Sequence, residues 1–168
     1  HLCFVNLGRS IAESISDRSS AQVSQLWSFL RAYKSWFGIS DNEMETFSTL
    51  FAVQDGNSRR KLEKGSLGGV GLLDVAEFVQ ALGELDDDAH GAQVCIISGG
   101  VCIRLAPPYA SGIDVAPGRR AQYFNPTNDP RIRPADTHVF RLPCRFPGTV
   151  LTCRFALHAE AREDEDVG

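Results

Sequence analysis

The chain has 168 residues, 43% of them hydrophobic and 23% charged, with a formal net charge of −4. That is apolar material enough for one domain core, and too much for a wholly disordered chain. The acidic balance, with a pI near 5.5, argues against a general nucleic-acid binder, and no apolar run is long enough to span a bilayer.

The chain opens at His1 directly on an apolar run, without the charged segment and small-residue cleavage site of a signal peptide. It therefore reads as a piece of something longer. Residues 2–7 (LCFVNL) have the form of a buried central strand that leaves through Gly8, and residues 9–18 are polar and turn-like. The capping-box pattern Ser19-Ser20-Ala21-Gln22 opens a helix. Its apolar positions Val23, Leu26, Trp27, Leu30, Tyr33 and Phe37 recur at helical spacing up to Gly38. Trp27 and Trp36 lie on this helix; core packing is the first reading for them, docking of a partner or neighbouring domain the other. A second capping box, Ser40-Asp41-Asn42-Glu43, starts an amphipathic helix through Met44, Phe47, Leu50 and Phe51 that stops before Asp55-Gly56.

Residues 56–71 are rich in Gly and cations and read as a mobile loop. They run into LLDVAEFVQALG (72–83), apolar on nearly two faces and so expected to be a well-buried helix closed by Gly83. Gly99-Gly100, between the apolar runs 93–98 and 101–105, predicts a hairpin. Residues 106–136 are rich in Pro, Arg and Asp and lack periodicity: an irregular insertion, used for binding or poorly ordered. Order returns over 137–142 and in a final strand at 150–157, and the acidic tail 158–168 is expected to be solvated and disordered. The fold class is α+β: one domain over 1–157, a two-layer sandwich with helices on one face of a mixed, largely antiparallel sheet. Five cysteines without a CxxC pair sit among strand residues and read as buried thiols in a reducing compartment, the cytoplasm.

The chemistry-bearing stretch is GSLGGVGL at 65–72. Glycines let backbone N–H groups approach a ligand, and the first turn of the following helix adds unpaired donors and the positive end of its dipole. Together these form an anion site suited to phosphate, with Arg59, Arg60, Lys61 and Lys64 just before it. No Gly-Lys-Ser/Thr follows, so it is not a Walker loop. A flexible loop with a tight helix entry is the alternative reading.

With its flanks, the arrangement resembles the GHKL superfamily, the ATP-binding fold shared by histidine kinases and gyrase. Asn6-Leu7-Gly8-Arg9-Ser10 matches the family's first glycine box, Asp-x-Gly-x-Gly. Gly56-Asn57-Ser58-Arg59 looks like its ATP lid (about 54–68), Gly69-Val70-Gly71-Leu72 like its second glycine box, and Gly148-Thr149 like its late Gly-Thr. The resemblance covers roughly 1–105 and 148–157. It implies that Asn6 and Thr149 face adenine, that Gly8 and Ser10 shape the base pocket, and that Gly69, Gly71 and Leu72 form the phosphate site. Ser58 and Arg59 would belong to the lid. The family's aspartate is Asn6 here, whose neutral amide oxygen still accepts a hydrogen bond. The second glycine of that box is Ser10. The family's helix that holds Mg²⁺ and positions water would precede the first strand, so the Mg²⁺ ligand is expected from outside this chain and the fold is N-terminally incomplete.

The expected function is ATP binding, with Mg²⁺, by a GHKL-type ATPase or kinase. The alternative is a degenerate domain that acts as a protein-interaction or regulatory module without turnover. Each site residue also has a plainer role: Asn6 as partner of a strand-end backbone group, Thr149 as a β-former, Gly8 as a turn residue, Arg59 as a solvated charge. Asp86, Asp87, Asp88 and His90 read as a solvent-facing turn rather than a metal cluster. His138 and His158 lack a nucleophile at a telling spacing. Arg119, Arg120, Arg131 and Arg133 read as solvated loop charges or as a grip for an acidic partner.

Overall fold

The computed structural model describes residues 1–16, 21–54, 72–83, 92–117 and 119–155. They form β1 (Leu2–Leu7), α1 (Ile11–Ser16), α2 (Ala21–Phe37), α3 (Asp41–Ala52) and α4 (Leu72–Gly83). After these come β2 (Gln93–Leu105), β3 (Ile113–Ala116), β4 (Arg119–Ala121) and β5 (Val139–Arg154). The chain is α+β, as its pattern predicts. One antiparallel sheet has the order β1-β5-β2, and β3 and β4 form a separate antiparallel pair.

α3 is the helix around which the core is organised. The expected capping box is present: Ser40 Oγ accepts the Glu43 N–H at 3.3 Å, and the Ser40 N–H donates to Glu43 Oε2 at 2.8 Å. This satisfies two of the donors that a helix start leaves orphaned. Phe47, Leu50 and Phe51 then bury with Leu30 and Tyr33 of α2, and the Tyr33 ring lies 4.6 Å from that of Phe47 and 5.3 Å from that of Phe51. Leu73, Ala76 and Val79 of α4 and Val94, Ile96, Val101, Ile103 and Leu105 of β2 complete the core.

Several sequence expectations are corrected. β1 is not a central strand: it lies at one end of the sheet order, and all six of its residues are exposed, Leu7 to 70%. Residues 11–16 are helical rather than turn-like. Gly99-Gly100 is no hairpin turn. β2 continues through it, and the register against β5 jumps from Ser98↔Thr149 to Gly99↔Phe146 and on to Val101↔Arg141. Gly99 has φ +58°, a left-handed conformation that favours glycine at this bend. Residues 137–142 and 150–154 belong to one strand, β5, rather than two.

α4 buries one face only, and Phe78 is 64% exposed. Trp27 packs against the core and donates its Nε1–H to the Ile15 carbonyl at 3.4 Å, whereas Trp36 is exposed. Of the cysteines, Cys102 and Cys153 are buried and Cys95 half-buried, but Cys3 and Cys144 are exposed: Cys3 sits on the edge strand β1, and Cys144 in the part of β5 between its two paired halves.

Within the stretch 106–136, Ala121, Gln122, Phe124 and Asn125 are buried, while residues 113–117 and 131–133 are exposed. Phe124 is buried, with its ring 6.1 Å from Tyr109, and the His138 ring lies 5.0 Å from Tyr109. Asn125 anchors the turns by donating to the Asp129 carbonyl at 2.9 Å and accepting the Asp129 N–H at 3.0 Å. Three of the arginines there are paired with carboxylates of the chain: Arg120 with Asp74 and Glu77, Arg131 with Asp129, and Arg133 with Glu43. The mutual neutralisation leaves them a weaker grip on any acidic partner than the sequence alone implies.

Candidate functional site

Side chains alternate along a strand, so the register decides what shares a face. Phe4 and Asn6 of β1 lie opposite Leu151 and Thr149 of β5, which lie opposite Ile96 and Ser98 of β2. Val94, Ile96 and Cys153 of this face belong to the core, so it is the helix-bearing face. The helices cover it over β2 but not over β1, where Phe4 is 58% exposed. The uncovered ledge is the floor of a cleft of about 550 Å³, lined by Phe4, Val5, Asn6, Thr149 and Leu151 from the sheet. Ile11, Ser14 and Ile15 of α1, Ala52 of α3 and Arg9 form its walls. The volume falls in the range of small-ligand sites, and the lining has their usual mix of apolar walls and a few polar groups.

The polar end is built by hydrogen bonds across three elements. Ser98 Oγ and Thr149 Oγ1 are 2.9 Å apart, and Ser98 Oγ accepts the Ile11 N–H at 2.7 Å. α1 is thereby moored to the sheet. Ser10 caps it: its Oγ accepts the Glu13 N–H at 3.2 Å, and its own N–H donates to Glu13 Oε2 at 2.8 Å. The backbone and side-chain hydrogen bonds from Ser10, and then the Arg145 charge, hold the Glu13 carboxyl below its ordinary range. Arg145 bridges Glu13 at 2.8 Å and Glu45 at 2.7 Å, so the charges in the second concavity behind α1 are largely matched.

Asn6 and Thr149, the two residues expected at adenine, are thus cross-strand neighbours on the cleft floor. Gly8 (φ +137°) and Ser10 do not line the cleft. Ser10 is 1% exposed and its hydroxyl is engaged in the α1 cap, so it does not stand in for a ligand-facing glycine. Leu72 is half-buried at the start of α4, with its side chain against the core. Ser58, Arg59, Gly69 and Gly71, together with residues 55–68 of the expected lid, Asp86 to His90 and His158, lie outside the described residues, as does the acidic tail; Gln54, where the lid was expected to begin, is buried. Among the described residues no group of three or more His, Cys, Asp or Glu is placed to hold a metal ion. No carboxylate lines the cleft, so its described residues do not fit Mg²⁺.

Ser98, Arg9, Ser14 and α1 also build the site, beyond the residues expected there. Comparison with protein-family models, curated proteins and solved structures finds no match to this chain. The site therefore rests on its geometry. No helix among the described residues is long and apolar enough to cross a membrane.

Proposed function

We propose that the chain binds a purine nucleotide, ATP by its GHKL-like motifs, with the base in the cleft over β1 and β5. The observation that carries this reading is the pairing of Asn6 with Thr149 on the cleft floor. Two polar side chains of different hydrogen-bonding character converge there beside the apolar Phe4, Ile11 and Leu151. A purine needs that combination: flat apolar walls for the ring and a few fixed partners for its edge nitrogens. The phosphates would extend toward the Gly-rich run that precedes α4, where backbone N–H groups suit an anion. Ligands for Mg²⁺ are not among the described residues of the cleft.

Calorimetry with Mg²⁺-ATP tests the reading. Binding by the chain should weaken about tenfold or more in Asn6→Ala, through loss of a buried hydrogen bond, and vanish in Gly71→Val. Unchanged affinity in Gly71→Val would remove the phosphate site from where it is drawn here.

One observation favours a second reading, a degenerate domain that engages a protein partner without turnover. The Ser10 hydroxyl is consumed by the α1 cap at a position where the resembling family keeps a glycine. No heat with ATP, ADP or GTP, from a chain whose fold is intact by circular dichroism, would select this reading.

A further inference from the structure

Cys95 and Cys102 lie on the same strand, seven positions apart. In a straight strand their α-carbons would be about 23 Å apart, yet their Sγ atoms are 3.4 Å apart. The register shifts between Ser98 and Val101 mark the bend in β2 that lies between the two thiols. The register places Cys95 beside Thr152 and Cys3 on the sheet face away from the helices, whereas Cys153 belongs to the core on the other face. Cys95 is half-buried and open to reagents from that side, and Cys102 is buried at 4% exposure. A reachable thiol backed by an enclosed one is the arrangement of an attacking and a resolving cysteine.

We propose that Cys95 and Cys102 are a thiol–disulfide exchange site that low-molecular-weight disulfides oxidise to a reversible intrastrand disulfide. In the first step the Cys95 thiolate attacks one sulfur of the small disulfide. A mixed disulfide forms and one small thiolate leaves, taking up the proton that Cys95 released. In the second step the Cys102 sulfur attacks the Cys95 sulfur, the protein disulfide forms, and the second small thiolate leaves with the Cys102 proton. One protein dithiol and one small disulfide thus become one protein disulfide and two small thiols, with two electrons passing to the small disulfide.

The local groups support the direction of attack. The hydrogen bond from Cys102, then that from Thr152 and the charge of Arg104, favour the Cys95 thiolate over the opposing effect of burial. The contact with Cys95 and burial push the Cys102 thiol up. The closed loop would contain Ser98 and Gly99, the residues at which the strand bends.

The test uses the full chain in glutathione buffers of rising oxidised-to-reduced ratio, quenched with acid and then alkylated with N-ethylmaleimide. Trypsin releases residues 65–104 as one peptide whose only cysteines are Cys95 and Cys102. This peptide is expected to lose two hydrogens and take no maleimide at ratios where Cys3, Cys144 and Cys153 are still alkylated. Cys102→Ser is expected to trap Cys95 as a glutathione mixed disulfide, and Cys95→Ser to slow the oxidation of Cys102 about tenfold or more. Two maleimides, or two glutathiones, on the 65–104 peptide where the exposed Cys3 and Cys144 are already oxidised would overturn the proposal. So would a cross-link from Cys95 to Cys3. The first reading is made on the unsubstituted protein, so a variant that fails to fold leaves it standing.

Discussion

Ser98 and Thr149 share a hydrogen bond of 2.9 Å across β2 and β5, and Ser98 holds the first N–H of α1 at the same time. One buried hydroxyl therefore fixes both the floor of the cleft and its wall. Ser98→Ala would leave the Ile11 N–H without its acceptor and Thr149 without its partner. The expected cost is about 1–3 kcal/mol, read as a lower urea midpoint with an unchanged slope. A change below about 0.5 kcal/mol would mean that water replaces the hydroxyl and that Ser98 is not the mooring point.

Gly148 faces Leu7 in the β1–β5 ladder with φ +136°, and a Cβ there would collide with the Asn6 carbonyl oxygen. Gly8 has nearly the same φ, +137°, with open space around it. Gly148→Ala combines strain with a backbone clash and is expected to cost about 3 kcal/mol or more, against about 1–2 kcal/mol for Gly8→Ala. Thermal unfolding of the two variants side by side separates the contributions. Equal losses would show that strand separation at Asn6 is cheap.

The capping box of α3 makes a pH prediction. The Ser40 backbone N–H, then Arg133 and the Ser40 hydroxyl, hold the Glu43 carboxyl at about 2, down from 4.5. A depressed folded value contributes stability that is fully present above the unfolded value and is lost as the proton goes on. Loss is therefore expected as pH falls from 4.5 towards 2, and Glu43→Gln should flatten that limb of the stability curve. Because the carboxylate is solvent-accessible, salt should shrink the effect. A Glu43→Gln profile parallel to that of the unsubstituted chain over this window would rule out the cap as its source.

Much of the helical layer was legible in the sequence, because capping chemistry and a 3.6-residue period are local signals. Ser40 to Glu43 announced α3, and LLDVAEFVQALG gave the bounds of α4. Ser10-Ile11-Ala12-Glu13 carries the same S-x-x-E signature and caps α1, but it precedes only six helical residues, too few to show a period. The sheet was less legible for a different reason. A six-residue apolar run does not distinguish an edge strand from a central one, since strand order is set by pairing far along the chain. Two glycines between apolar runs signal reversal, yet β5 pairs with both halves of β2, and the glycines bend the strand instead. In the site, Asn6 and Thr149 were legible as residue types, and their adjacency comes from the β1–β5 register. Ser98 was not, because nothing local marks a hydroxyl that works through contacts 51 and 87 residues away.

Gln54, buried just beyond α3, donates from Nε2 to the Leu50 carbonyl at 2.6 Å and accepts the Gln122 N–H on Oε1 at 2.7 Å. Gln122 in turn donates to the Ser111 carbonyl at 2.6 Å and accepts the Phe124 N–H at 3.0 Å. Gln54→Leu keeps the volume but strands the Gln122 N–H in the interior. The expected loss is about 1–3 kcal/mol, with faster amide exchange at Gln122 and Phe124. Exchange that stays slow at both amides would show that the segment holds itself without Gln54.

The glutamine relay also tells a protein engineer where this chain will tolerate an insertion. A reporter domain or affinity tag placed near Asn125 would have to break the hydrogen bonds that Asn125 makes to Tyr123, Asp129 and Ile132. The tip beside Pro117, where β3 turns back and the neighbouring side chains face solvent, offers a splice point that leaves the relay, and with it the roof of the domain, undisturbed.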